Sequence, residues 1–277
     1  MKRIIISCAL LLATVSVVHS QNLDSLAFVT ADWQVSEPDK GMETRTASMD
    51  IFGSKQTVSI IRYKPKRFYT RIVQTAELTP VSRTATDRGA VAAVNAGYWN
   101  VKEVVPSTYV RIDGHDCSHT EEAEAYRVNG ILVIEDRKIE VFACDTSQYG
   151  KYAPVYDNIL ASGPVLVDDG KYFDYDPSLG SFFGRHPRSL IGRTYKGEIF
   201  MVVVDGRFEQ AQGMTINELV EVCRWLGLVD AINLDGGGSS TLWSRDRGVL
   251  NHPYDNKRFD HEGERSVSSC LIALPLR

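Results

Sequence analysis

"IFMVVVDGRFEQAQGMTINELVEVCRWLGLVDAINLDGGGSS" (residues 199–240) holds two apolar runs, an amphipathic run between them, and the same Asp-Gly step after each apolar run. Ile199–Val204 is apolar at every position, without the alternation of a half-wet strand, and so predicts a central strand covered on both faces. Thr215 and Glu218 have capping-box spacing, with Met214 and Leu219 placed to staple across it. Ile216, Leu219, Val220, Cys223 and Leu226 then share one helical face, and Gly227 supplies a stop. Only "LVD" precedes the next strand, "AINL" (231–234). The pattern predicts a strand–helix–strand passage over 199–234, a right-handed crossover between neighbouring parallel strands.

Around this unit β character dominates. "QTVSIIRY" (56–63) and "FYTRIVQTA" (68–76) read as strands joined by a turn at "KPKR". Asn129-Gly130, "EDRK" (135–138), Asp169-Gly170 and Lys196-Gly197 are hairpin signals. The expected fold class is α+β (mixed α/β): a mixed, mostly antiparallel sheet with hairpins, the strand–helix–strand crossover and covering helices.

At the start, "MKR" followed by the apolar "IIISCALLLATVSVV" reads as a signal peptide over 1–20, cleaved near Ser20. The run is too short for a transmembrane span. The expected location is outside the cytoplasm, periplasmic or extracellular. Residues 21–54 are polar and mixed, with "SEPDKGMETRTAS" (36–48) the least structured part, and read as an N-terminal extension to one large domain over 55–277. Loss of Lys2 and Arg3 moves the formal charge from -4 to -6, which argues against general nucleic-acid or anionic-membrane binding. Cys117, Cys144, Cys223 and Cys270 remain; export permits disulfides, a Cys117–Cys144 bridge among them, while Cys223 on the helix's apolar face reads as a buried thiol.

If the two strands of the crossover are parallel, Asp205 and Asp235 emerge at one sheet edge, where ligands of such units sit. Arg207 stands two residues past the first aspartate. Gly236, Gly237 and Gly238 can turn successive N–H groups into one concavity, and Ser239, Ser240 and Thr241 add hydroxyl donors. No Gly-Lys-Ser/Thr comes after them, so this is not a nucleotide P-loop. The plainer reading is a tight turn, since Asp-Gly already serves as one at 169–170. "DGHDCSHT" (113–120) crowds His115, Asp116, Cys117 and His119, but its spacing matches no zinc pattern, and "DYDPS" (174–178) lacks most ligands of a calcium loop. The sequence therefore calls for no metal and no cofactor.

"VNAGYWN" (94–100), "HPRSLIGRT" (186–194), "VVVDGR" (202–207), "GMTINEL" (213–219), "LDGGGSSTLW" (234–243) and "VLNHP…GERSVSSCLIAL" (249–274) occur in this order. Together they resemble the phosphodiester glycosidase family over roughly residues 55–275. The family usually reads Asn-Gly-Gly-Phe-Phe where this chain has Asn95-Ala96-Gly97-Tyr98-Trp99, and Pro-Arg-Thr where it has Pro187-Arg188-Ser189. "CSHTEEAEAYRVNG" (117–130) has no counterpart in that pattern.

The resemblance implies an exported glycosidase. It would hydrolyse a phosphorylated glycan or sugar-1-phosphodiester at the glycosidic carbon, an α-linked N-acetylhexosamine being the implied sugar. In this reading Asp235 and, secondly, Asp205 are catalytic: nucleophile, base for water, or support for an oxocarbenium-like state. Arg188 and Arg207 grip phosphate oxygens, the 236–241 loop donates to growing charge, and Asn95, Gly97, Tyr98, Asn233 and Glu264 complete the substrate pocket. Asp235→Asn and Arg207→Ala are expected to abolish most turnover while leaving thermal stability nearly intact. Two other functions use the same residues: a phosphodiesterase acting on envelope polymers, and a non-catalytic carbohydrate- or phosphate-binding protein.

Overall fold

The computed structural model describes residues 23–100 and 102–276; the signal peptide read over 1–20 lies outside them. An eight-stranded sheet runs in the order β1 (Gln34–Asp39), β2 (Met42–Ile51), β3 (Ser54–Tyr63), β16 (Ile199–Val204), β15 (Arg188–Thr194), β17 (Leu228–Asn233), β13 (Val165–Asp168), β14 (Lys171–Tyr172). A five-stranded sheet has the order β11 (Lys138–Ala143), β10 (Gly130–Glu135), β12 (Ile159–Ser162), β8 (Val110–Ile112), β9 (His115–Ser118). The third sheet is β19 (Gly248–Val249), β18 (Leu242–Ser244), β5 (Ala92–Asn95), β20 (Ser266–Pro275), β4 (Phe68–Pro80), and β6 (Trp99–Asn100) with β7 (Val105–Pro106) forms a ribbon. The helices α1 (residues 23–29), α2 (Val81–Asp87), α3 (Tyr149–Tyr152) and α4 (Ile216–Trp225) are spread along the chain. All described pairings between named strands are antiparallel. The fold is mixed, with strands outweighing helices.

β16 explains how the layers hold together. All six of its residues are buried. Met201 and Val203 join Ile61, Ile191 and Ile232 in a core shared with the two five-stranded sheets. Val202 and Val204 face the other way, into a core with Leu219, Val220 and Cys223 of α4 and Phe28 of α1. A strand alternates faces at every residue, so a strand buried on both sides must be apolar throughout. The capping box forms as expected: the Glu218 N–H donates to Thr215 Oγ1 at 3.2 Å, and the Thr215 N–H donates to Glu218 Oε2 at 2.9 Å.

Several expectations change. β16 and β17 are parallel in direction but not neighbours, because β15 lies between them and pairs antiparallel with both. The hairpin at Lys196-Gly197 inserts its first strand into the gap that the crossover spans. "KPKR" turns between sheets, since β3 pairs with β2 and β16 while β4 pairs with β20. Asn129-Gly130 is no hairpin turn: a Cβ on Gly130 would stand 2.2 Å from Val165 Cγ2, so the glycine serves close packing between sheets. Asp136-Arg137 and Asp169-Gly170 do turn hairpins, with positive φ at all four residues. The polar stretch 36–48 lies in the β1–β2 hairpin, which extends the large sheet. Its alternate residues face solvent at a sheet edge, which accounts for the weak apolar signal. The four described cysteines are free thiols, with Cys223 buried and no Cys117–Cys144 bridge. No described helix is long and apolar enough to cross a membrane.

Candidate functional site

The parallel direction of β16 and β17 brings both Asp-Gly corners to one rim, and Pro187 at the entry to β15 sits between them. A Cβ on Gly206 would stand 2.6 Å from the Pro187 nitrogen, and one on Gly236 would stand 2.7 Å from its carbonyl oxygen. Only bare backbone fits on either side. The Gly237 N–H donates to that same carbonyl at 2.9 Å.

The corners differ in chemistry. Asp235 is partly buried, and burial pushes its carboxyl up to about 6, against the pull of Ser239, Arg127 and Arg265. Asp205 is 1% exposed, and both its oxygens face His252: the backbone N–H donates to Oδ1 at 2.9 Å, and the ring Nδ1 lies 2.7 Å from Oδ2. Burial raises the Asp205 carboxyl too, with His252 opposing the rise. Asp205 is thus sealed beneath the rim with both carboxyl oxygens on His252.

Around the loop, a Cβ on Gly237 would lie 3.1 Å from Arg207 Nη2, and one on Gly238 would collide with Arg265 Nη2 and Asp255 Oδ1 at 2.2 Å. Arg265 makes a two-point pair with Asp255, Nε to Oδ2 and Nη2 to Oδ1, each 2.7 Å. Arg207 is exposed and has no ion pair among the described residues; its guanidinium stacks 5.2 Å from the Tyr254 ring centre. Arg127 lies 4.0 Å above the Tyr98 ring and is paired to Glu124. Three guanidinium groups therefore line the rim that carries Asp235.

Other expected ligands are engaged by hydrogen bonds or close packing within the protein. Arg188, 2% exposed, donates from Nε to the Met214 carbonyl at 3.0 Å and from Nη2 to the Phe182 and Gly184 carbonyls at 2.7 and 2.6 Å. Burial pushes its guanidinium down to about 10. Asn95 ties the two cores, donating to the Asp235 carbonyl at 2.6 Å and accepting from Ser189 Oγ at 2.7 Å and the Thr241 N–H at 3.1 Å. Asn233 donates to Tyr98 Oη and the Gly163 and Leu234 carbonyls, and Tyr98 Oη donates to the Gly163 carbonyl at 2.6 Å. Gly97 gives room to Leu160 and Thr108, each 3.1 Å from where a Cβ would stand. Glu264 accepts from the N–H and hydroxyl of Ser82, in the first turn of α2, and burial raises its carboxyl.

The glycine loop is not an open nest. Residues 237–239 form one 3-10 turn, and the N–H groups of Gly237, Ser239 and Ser240 donate to the Pro187, Gly236 and Gly237 carbonyls. Ser239, Ser240 and Thr241 are buried; the Ser240 and Thr241 hydroxyls meet no protein partner among the described residues, while that of Ser239 faces the Asp235 carboxyl. The metal-like cluster also separates: Asp116 accepts from Tyr109 Oη at 2.7 Å and pairs with Arg111, and no described group of three or more His, Cys, Asp or Glu is placed to hold an ion.

Sequence reasoning assigned no role to His252, Arg127 or Arg265. His252 and Arg265 lie inside the quoted motifs "VLNHP" and "GERSVSSC", where their position was a usable signal. Arg127 lies in the stretch without a counterpart, and nothing in its spacing singles it out.

A family model described as phosphodiester glycosidase matches residues 88–274. The mouse N-acetylglucosamine-1-phosphodiester alpha-N-acetylglucosaminidase is 30% identical over 109 residues, 37% of this chain and 20% of that protein. The bovine protein of the same name is 43% identical over 74 residues, 27% of this chain and 13% of the other. The matched stretches thus span a fifth or less of these relatives. Among solved structures, the catalytic domain of the zebrafish N-acetylglucosamine-1-phosphodiester alpha-N-acetylglucosaminidase, auto-inhibited by its pro-peptide, superposes with a TM-score of 0.66 at 17% identity, covering 88% of this chain and 87% of that one. A hypothetical protein from Synechocystis superposes with a TM-score of 0.69 at 15% identity, covering 88% and 64%. At these identities the structural likeness is one of fold.

Proposed function

Because the chain belongs to the phosphodiester glycosidase family, we propose that it hydrolyses a sugar-1-phosphodiester at the glycosidic carbon, with an α-linked N-acetylhexosamine as the first sugar to test. One observation carries this reading: a carboxyl with a pKa near 6 stands on a rim of guanidinium groups, one of which has no carboxylate partner among the described residues. A phosphate monoester is already a good leaving group, so its departure needs charge neutralisation more than protonation. Arg207, supported on Tyr254, is the phosphate ligand of this proposal. Asp235, ionised at neutral pH, offsets the positive charge that grows on the sugar ring as the bond to phosphate breaks. Arg127 and Arg265 hold that carboxylate in its ionised form.

The natural companions of this chemistry are envelope or dietary glycans met after export, in keeping with the apolar leader. The experiment is a panel of sugar-1-phosphodiesters incubated in ¹⁸O-water, with products weighed by mass spectrometry. Label on the sugar supports cleavage at carbon. Label on phosphate moves the reaction to phosphorus and makes the protein a phosphodiesterase. Tight binding without product makes it a binding protein.

A further inference from the structure

Burial of Asp205 leaves an acidic residue at the rim that cannot touch a ligand, and both its oxygens turn to His252, with Asn251 beside them. Resting on the hydrolytic reading above, we propose that His252 is a catalytic residue, its Nε2 taking the proton of the attacking water, and that Asp205 is the positioning residue that orients it.

The local build supports this. A carboxylate accepting from both the backbone N–H and the ring Nδ1 of one histidine fixes the ring in place and puts the proton on Nδ1. The basic lone pair is then on Nε2, which has no hydrogen bond among the described residues. The ring is clamped as well: Phe259 stacks on it at 3.7 Å with 7° between planes, and His261 lies at 4.5 Å. A merely structural histidine would need no such two-sided clamp plus a buried anion.

The same segment reaches the phosphate side of the rim. Phe208 packs edge-on against both Phe259 and Tyr254 at 5.3 Å, and Tyr254 carries Arg207. Next along the chain, Asp255 abuts Gly238 of the Asp235 loop and pairs with Arg265. Residues 252–259 thus link the imidazole, the free guanidinium and the Asp235 corner into one wall.

The step balances without a further reactant. The water oxygen bonds to the anomeric carbon as the carbon–oxygen bond to phosphate breaks, and its electron pair leaves with the phosphate monoester held by Arg207. The water proton passes to His252 Nε2 and then to solvent.

The test compares wild type with H252A, H252N, D205N and D235N on the best sugar-1-phosphodiester of the panel, with folding checked by circular dichroism. H252N retains an amide able to donate to Asp205, so it keeps the fold if H252A does not. Loss of Nε2 should lower kcat about 10²–10⁴-fold with KM little changed. Added imidazole should restore part of the H252A activity and none of the D235N activity. D205N should fall between, with an altered pH profile. Folded histidine variants with wild-type kcat and pH profile, beside an inert D235N, would overturn the role of His252 and leave the hydrolytic reading standing. A wild type inert toward the whole panel overturns both.

Discussion

The two Asp-Gly corners are near copies in sequence, VVVDGR and INLDGG, and they end strands of the same direction on opposite sides of Pro187. Their fates diverge because the chain leaves each corner by a different path. After Asp205 it enters the left-handed region at Arg207, with φ of 67°, and the carboxyl stays under the rim with His252 capping it. After Asp235 it turns within three residues, and the carboxyl stays partly open beside Arg127 and Arg265. The same dipeptide gives a sealed carboxyl facing a histidine in one place and a partly open carboxyl, pushed up to about 6, in the other. The environment, not the residue type, assigns the role.

The largest way to break this contrast is Asp235→Asn. Turnover should fall at least about 10³-fold, the scale of losing a preorganised charge at the reacting centre. Stability should move the opposite way. The folded carboxyl titrates near 6, above its ordinary value of 3.8, so the folded state holds the proton more tightly than the unfolded chain does. That contribution is complete below pH 3.8 and is lost as pH rises through 6. An uncharged asparagine escapes the loss, so the variant should gain on the order of 2 kcal/mol at pH 8 and little at pH 4. Urea melts at the two pH values check the sign, and they revise the expectation of unchanged stability drawn from sequence. Wild-type activity should decline as pH falls through about 6.

Arg188→Lys comes next. A lysine cannot reproduce the fork of bonds to three backbone carbonyls, and the cost should be about 3 kcal/mol or more. A normally stable variant with weakened phosphate affinity would return Arg188 to the list of ligands. Gly236→Ala places a methyl 2.7 Å from the Pro187 carbonyl and should cost about 1–3 kcal/mol, with turnover lowered because the Asp235 corner shifts. Arg207→Ala should leave stability within about 0.5 kcal/mol of wild type while weakening affinity for the phosphate monoester product, measured by calorimetry. The smallest effect is at Glu264: replacement by alanine should cost about 1 kcal/mol through the first turn of α2, with kcat unchanged.

Periodicity alone identifies β16, α4 with its caps, and β17, because each element is bounded by residues whose preference is local. It does not reveal that β15 lies between the two strands, since pairing order depends on contacts far apart in sequence. Asn129-Gly130 misleads for a related reason: the glycine answers to Val165 across a sheet interface, and a turn signal looks the same. In the candidate site, chemistry-bearing residue types gather at one rim, while their partners there are not legible in the sequence. Arg188, Asn95 and Asn233 donate to backbone carbonyl groups, partners that a sequence does not display. His252 stands in a quoted motif, but its tie to Asp205, 47 positions earlier, shows only in the fold.

Pro187, with its ring nitrogen against Gly206 and its carbonyl against Gly236, is wedged between the two acidic corners as a spacer. Neither corner can approach the other without moving the start of a central strand. Under the proposed reaction, adaptation to bulkier or differently charged substrates falls to the outer walls, the segments around 122–128 and 252–261, while the spacing of the two corners stays the same.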